Sequence, residues 1–426
     1  MINEIIYSFS GNKRSFNITL KIKDKGNHMI FYPGGNRSCN ISLKYPDEII
    51  INGIAQNNIS PFHYFNETDN IIKLRYYSEE LINNVATHHC FFYTCQNITE
   101  IDFSEFDTSQ FTSLFGMFSE CLSLTYLNIS NFNTSNVGYL NYMFNNCLNL
   151  SSIDLSNFDT SNVKTMTCMF HNCWSLVSLD LSNFNTSKVI NMNLMFQNCI
   201  SLKSLNMFNF NMINIITIDG LFRNCTSLTS LNLSLLETSH LLNTSNLFRD
   251  CIKLEYINLS NAIINGHVFT NKNNDFTNTG KNLVICIKNT ENISLMNLDT
   301  CNVIDCSENW RENQKKINLE NNTCNDDCIS LNYKYEYQSK CYERCPNKTY
   351  NNSYTCEDCH VNCFSCSKES LIANNSCITC NKEEGYFPLY DVIHILNAII
   401  KNRKDIISIK SNQIIRNVMT HVKIVT

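Results

Sequence analysis

Across residues 91–260, apolar and polar positions follow one 26-residue pattern repeated seven times. Each copy ends in an apolar series: Leu124/Leu127/Ile129, Leu150/Ile153/Leu155, Leu176/Leu179/Leu181, Leu202/Leu205/Met207, Leu228/Leu231/Leu233 and Leu254/Ile257/Leu259. The closing alternation suits a short strand that buries one face. Ahead of it stand Met117-Phe118, Met143-Phe144, Met169-Phe170, Met195-Phe196, Leu221-Phe222 and Leu247-Phe248. A unit this short cannot bury its apolar face alone, so copies must stack, and parallel strands about 4.8 Å apart follow. Phe106, Phe132, Phe158, Phe184 and Phe210 turn inward after the strand. Asp107-Thr-Ser, Asn133-Thr-Ser, Asp159-Thr-Ser and Asn185-Thr-Ser then supply turn or N-cap chemistry. The pairs Val137/Leu140, Val163/Met166 and Val189/Met192 predict a short helical or 3-10 return limb. The expected fold class is therefore an α/β solenoid of the leucine-rich-repeat period, with parallel strands and short helical or 3-10 return limbs.

A solenoid exposes its core at both ends unless it is capped. Residues 1–88 read as a β-rich N-terminal cap, because Phe16, Ile18, Leu20 and Ile22 alternate with polar residues. Cys39 and Cys90 either pair across this cap or stand as two free thiols. The solenoid is placed at 89–265. Its regularity decays after Met207, where Met212-Ile213 replaces Thr-Ser and Leu236 replaces the phenylalanine. A C-terminal cap and linker follow at 266–322, with a last strand expected around Leu283, Cys286 and Ile287.

Cysteine falls into two populations. Cys95, Cys121, Cys147, Cys173, Cys199, Cys225 and Cys251 recur every 26 residues. In a stack their Cβ vectors run parallel rather than converging, so they are expected to be buried thiols acting as small hydrophobes. Residues 323–388 form a different text. Cys324, Cys328, Cys341, Cys345, Cys356, Cys359, Cys363, Cys366, Cys377 and Cys380 sit among few aliphatic residues. Crosslinks must stand in for a core there. The paired C-x-x-C spacing also suits zinc, but the sequons at Asn347, Asn351 and Asn374 favour extracellular disulfides.

A net charge of −5 and no basic stripe argue against a nucleic-acid partner. The 19 Asn-x-Ser/Thr sequons exceed chance modestly, which leans toward a secreted chain, and the 68 asparagines suggest a coding bias. No signal peptide, membrane span or cofactor motif is read, and the chain is taken as an incomplete copy. The tail 389–426 is Ile-rich and basic. It reads either as an amphipathic surface helix or as sequence that is not native coding.

The segment beginning Met169-Phe-His-Asn-Cys173-Trp-Ser-Leu and running through Asp180-Leu-Ser-Asn-Phe184-Asn-Thr-Ser closely resembles the repeats of BspA-like leucine-rich-repeat surface proteins. The segment 341–386, with Cys356-Glu-Asp-Cys-His-Val-Asn-Cys-Phe-Ser-Cys366, looks like a furin-like or growth-factor-receptor cysteine-rich module. The resemblance implies an extracellular or cell-surface protein, and for several members adhesion to a host or microbial surface protein or glycan.

In such a repeat the outward strand residues line the concave face. The candidate partner-binding residues are Tyr126, Asn128, Asp154, Asp180, Lys203, Asn206, Glu255 and Tyr256. The last strand position is Asp or Asn in every coil, so a shared turn role is expected there rather than ligand contact or a calcium ladder. No catalytic signature is found, and the chain is not expected to be an enzyme. His88-His89 beside Cys90 is expected to pack or cap rather than to serve a cysteine nucleophile. A structural or variable surface-coat role without a single ligand is the alternative function.

Overall fold

The computed structural model divides into two compact units, Met1–Trp310 and Arg311–Thr426. It describes residues 15–34, 39, 45–77, 90–236, 239–242, 244–262, 268–269, 274–289, 296, 298 and 301–309. It also describes short pieces of the second unit: 311, 314–318, 324–325, 335–337, 340–342, 349–352, 355–358, 363–366, 377–380, 386–388 and 423–425.

The first unit opens with β1 (Phe16–Ile22), β2 (Gly26–Met29), β3 (Glu48–Ile51), β4 (Ile54–Ala55), β5 (Phe62–Phe65) and β6 (Asn70–Tyr76). Alternation in β1 and β6 puts Ile18, Leu20, Ile22, Ile72, Leu74 and Tyr76 fully inside. These strands do not form a separate sandwich. β1 pairs antiparallel with β6 on one side and with β7 (Ile98–Glu105), the first coil strand, on the other. β7 then pairs in parallel with β8 (Tyr126–Asn128), so a single sheet runs from the leading strands into the coils. A Cys39–Cys90 disulfide ties the leading segment to the start of the first coil.

The parallel ladder goes on through β9 (Ser178–Asp180) and β10 (Ser204–Asn206), and separately through β11 (Ser230–Asn232), β12 (Tyr256–Asn258), β13 (Val284–Cys286) and β14 (Val303–Ile304). The last two rungs carry the solenoid ladder past residue 265, and a Cys286–Cys306 disulfide binds them. Ser152–Asp154 carries no strand, and no ladder joins β10 to β11.

Among the described residues of the coils no helix is found, and the helical or 3-10 return limbs expected from the Val/Leu and Val/Met pairs are not there: the coils form a β-solenoid. The amides explain why. In one coil the N–H groups of Met143, Asn145 and Cys147 donate to the carbonyls of Leu140, Tyr142 and Phe144, each three residues back, as in successive turns. The N–H groups between them, from Leu140, Tyr142, Phe144 and Asn146, donate to Thr165, Thr167, Met169 and His171 of the next coil. A helix would use every amide within the coil. Here every second amide is given to the neighbour. The alternation needs a left-handed residue every fourth position, and Tyr142 and Asn146 both have φ 60°. Cys168/Asn172, Leu194/Asn198 and Gly220/Asn224 repeat the pair. A left-handed residue in each turn stops a helix from propagating. Single bridges Ser113–Tyr139–Thr165–Asn191–Thr217 make a second parallel ladder on this limb.

The core is built of columns. Phe92, Phe118, Phe144, Phe170, Phe196, Phe222 and Phe248 stack with centroids 5.3–6.0 Å apart. A second file, Phe132, Phe158, Phe184 and Phe210, has spacings of 6.3–6.4 Å. Each ring that is fully buried contributes about 1.5–3 kcal/mol. The seven repeating cysteines are all at 0% exposure. Six of them do more than fill space. The thiols of Cys121, Cys147, Cys173, Cys199, Cys225 and Cys251 donate to the carbonyls of Phe92, Phe118, Phe144, Phe170, Phe196 and Phe222 in the coil before, at 3.0–3.2 Å. A serine there would keep a donor facing its acceptor. Cys168, at a left-handed position and 3% exposed, is an eighth free thiol that the spacing did not announce.

In the second unit, strands Lys316–Asn318, Cys324–Asn325, Tyr335–Tyr337, Lys340–Tyr342, Thr349–Asn352 and Thr355–Asp358 form one sheet. Cys324 and Cys341 each take part in a disulfide. The hairpin Cys363–Cys366 with Cys377–Cys380 sets Cys363 opposite Cys380 and Cys366 opposite Cys377 in its register. In the tail only Lys423–Val425 is described, pairing in parallel with Tyr386–Pro388. The amphipathic-helix reading of 389–426 lies outside the described residues.

Candidate partner-binding face

Side chains alternate across a strand, so each coil strand turns its central leucine or isoleucine inward and the flanking pair outward. Register aligns the outward residues into files along the stack. Glu100 faces Tyr126, Ser178 faces Ser204, and Ser230 faces Tyr256. Ser152 holds the same place in the coil that lacks a strand. The file thus runs Tyr126, Ser152, Ser178, Ser204, Ser230, Tyr256, a strip of serines framed by tyrosines about 24 Å apart at the strand spacing. Beside it runs Thr125, Ser151, Val177, Lys203, Thr229, Glu255, held in step by amides such as Lys203 N–H to Val177 O at 2.8 Å.

The third file is the Asp/Asn series. In all seven coils its Oδ1 accepts the N–H of the residue two places on. The distances run from 2.7 Å for Ser104 N–H to Asp102 up to 3.3 Å for Phe208 N–H to Asn206. Asn128 also donates from Nδ2 to Asp102 Oδ1 at 3.0 Å, joining two coils. The backbone N–H of Ser156 holds the Asp154 carboxyl below the usual carboxylate range, and that of Ser182 does the same for Asp180. These residues end the strands.

Of the eight candidate residues, then, Asn128, Asp154, Asp180 and Asn206 have side-chain oxygens committed to the following turn. The remaining four differ. Tyr126 is 53% exposed and Lys203 is exposed, whereas Glu255 and Tyr256 are half-buried. Burial raises the Tyr256 phenol above its ordinary pKa, and nearby Asp305 adds to the effect. At the opposite end Glu100 pairs with Lys21 from β1. Among the described residues no helix is long and apolar enough to cross a membrane. His88 and His89 lie outside the described residues.

Sequence reasoning missed the asparagines that bind coil to coil. Asn157 Nδ2 donates to the carbonyls of Ile129, Ser130 and Phe132 at 3.0, 3.1 and 3.0 Å. Asn183 does the same to Leu155, Ser156 and Phe158. A further file, Asn146, Asn172, Asn198 and Asn224, is linked amide to amide at 2.5–2.9 Å on the left-handed residues before the cysteines. Asparagine tolerates that conformation better than most residues. Its abundance is therefore partly structural rather than a coding bias alone. The signal was the 26-residue recurrence of Asn131, Asn157, Asn183 and Asn209.

No curated protein matches this chain. A family model described as Mycoplasma protein of unknown function, DUF285, matches residues 86–204 and again 170–283, the stretch that folds into the coils. The match coincides with the solenoid of about 26-residue repeats.

Proposed function

We propose that this is an extracellular or cell-surface recognition protein that binds a host or microbial surface protein or glycan along its strand face, with no chemistry of its own. The observation that carries the reading is the framed strip from Tyr126 to Tyr256, small and polar along its length with an aromatic residue at each end. Serine lets an extended ligand lie close to the backbone. Tyrosine supplies large contact area at low entropic cost. Lys203 and Glu255 lie in the adjoining file and select among polar ligands. The Cys39–Cys90 and Cys286–Cys306 disulfides suit an oxidising compartment. The cysteine-rich segment, which resembles a furin-like module, serves in this reading as a crosslinked spacer.

The test is a glycan and surface-protein array probed with the full chain and with the Tyr126→Ala/Tyr256→Ala double variant. Saturable binding lost in the double variant is expected, with about tenfold or more weaker affinity for two aromatic anchors. Binding equal in both proteins would remove the strand face from consideration. Absence of saturable binding to any probe would favour a coat role instead.

A further inference from the structure

We propose that the step between the coils at Phe208 and Leu235 is a binding site for a primary ammonium group carried on an alkyl chain. In two of the coils three main-chain carbonyls converge on one asparagine amide, those of Ile129, Ser130 and Phe132 on Asn157 Nδ2 and those of Leu155, Ser156 and Phe158 on Asn183 Nδ2, while Asn131 and Asn209 each donate to one, Ser104 O and Ser182 O. Residue 235 holds the same place in its coil, and it is leucine. The corresponding carbonyls are those of Met207, Phe208 and Phe210. Met207 O receives only the Phe210 N–H at 3.0 Å, a bond that Ile129 and Leu155 also accept in their own coils. Among the described residues the carbonyls of Phe208 and Phe210 accept no hydrogen bond.

Two independent observations show that this step is open. The strand ladder is interrupted here, since β10 pairs only with β9 and β11 only with β12. A cavity of about 310 Å³ lies at the same step, lined by Met207, Phe208, Phe210, Met212 and Leu235 among others. The other interrupted rung, at Ser152–Asp154, keeps its Asn157 and Asn183 amides in place. Only the step that lacks both ladder and asparagine carries this cavity among the described residues.

The chemistry of the lining selects the ligand. The three main-chain carbonyls accept and do not donate, and an alkylammonium offers three N–H donors and no acceptor, while the Asn232 amide and Ser234 hydroxyl that also line the cavity can meet a further polar group on the ligand. Hydrogen bonds from a charged donor are about twice as strong as neutral ones. The apolar walls of Met207, Phe208, Met212 and Leu235 take the methylenes behind the charged head, as they would a lysine stem. The site accepts either a free alkylamine or a lysine side chain on a partner polypeptide, and it does not depend on the proposed role of the strand face.

The experiment is calorimetric titration of the full chain with n-butylammonium, tetramethylammonium and n-butanol. Saturable binding of butylammonium alone is expected. Leu235→Asn, which returns the amide found in the regular coils, should weaken it about tenfold or more while raising the midpoint of thermal unfolding. Phe208→Ser, which restores the residue type of Ser130, Ser156 and Ser182, should weaken binding without filling the cradle, and it carries the test if Leu235→Asn fails to fold. An N-acetyl-lysine amide that binds more tightly than butylammonium assigns the site to a polypeptide partner, and equal affinity assigns it to free amines. Equal binding of tetramethylammonium, no saturable butylammonium binding, or full affinity in either variant would overturn the proposal.

Discussion

Thr134 gives a direct measure of what holds one coil to the next. Its side chain is 2% exposed, and its Oγ1 donates to Asp159 O at 3.0 Å while accepting Asp159 N–H at 2.8 Å. One hydroxyl thus satisfies both main-chain groups of a residue in the following coil. Thr134→Val keeps the shape and removes both bonds. Leaving a buried backbone donor and acceptor unpaired costs about 1–3 kcal/mol each, so the pair is worth about 2–4 kcal/mol once partial solvent access at Asp159 is allowed for. Thr134→Ser keeps the hydroxyl and loses one methyl group, about 0.8 kcal/mol. Urea unfolding of the two variants beside the parent protein, followed by circular dichroism, separates the terms. Valine should be the more damaging by at least about 1 kcal/mol. If serine destabilises as much as valine, the inter-coil bond carries no weight and the coils are held by apolar stacking alone.

Other outcomes follow from the same coordinates. The eight free thiols among the described residues should be unreactive toward Ellman's reagent at pH 8 in the folded chain and react in denaturant, because burial raises the thiols of Cys199 and Cys251 to about 12. Those thiols are neutral in the fold, so their contribution is present below the unfolded value near pH 9 and is lost as pH rises toward 12; alkaline unfolding should begin in that window. Asp275, pushed up to about 7 chiefly by burial and bonded to Thr244 Oγ1 and Leu247 N–H, works in a lower range. Its raised carboxyl favours the fold at low pH and loses that contribution as pH climbs from about 4 through 7. Asp275→Asn should flatten the stability profile across that range, measured as Tm against pH. Cys173→Ala, which loses the thiol bond to Phe144 O, should cost about 1–2 kcal/mol by urea unfolding, whereas Cys173→Ser should cost less.

The repeat period, the inward leucines, the cysteine file and the turn role of the Asp/Asn series were legible because each recurs at a fixed place and chemistry that stacking requires. The return limb was misread because Val137 and Leu140 sit three residues apart, a spacing that helices and successive turns share. What separates them is the left-handed backbone at Tyr142, Cys168 and Leu194, and nothing in a tyrosine or leucine side chain announces it. Cys168 stood outside the cysteine period, so its burial depended on a packing site visible only in three dimensions. The Thr-Ser dipeptides did signal a turn, but the partner of Thr134 lies one coil away, and no local window contains it. For the candidate face, spacing identified the outward residues but not how deeply Tyr256 and Glu255 are sunk against the last rungs.

The antiparallel partner of the first coil has a further consequence. A stack of identical parallel rungs would show at its first edge the same donors and acceptors that recruit each following rung, an invitation for a second molecule to add on. β1 runs the opposite way along β7 and fills that edge with bonds of another polarity. With β6 bonded to the far side of β1, a foreign rung arriving in parallel finds no matching row, so indefinite head-to-tail growth is blocked from this side.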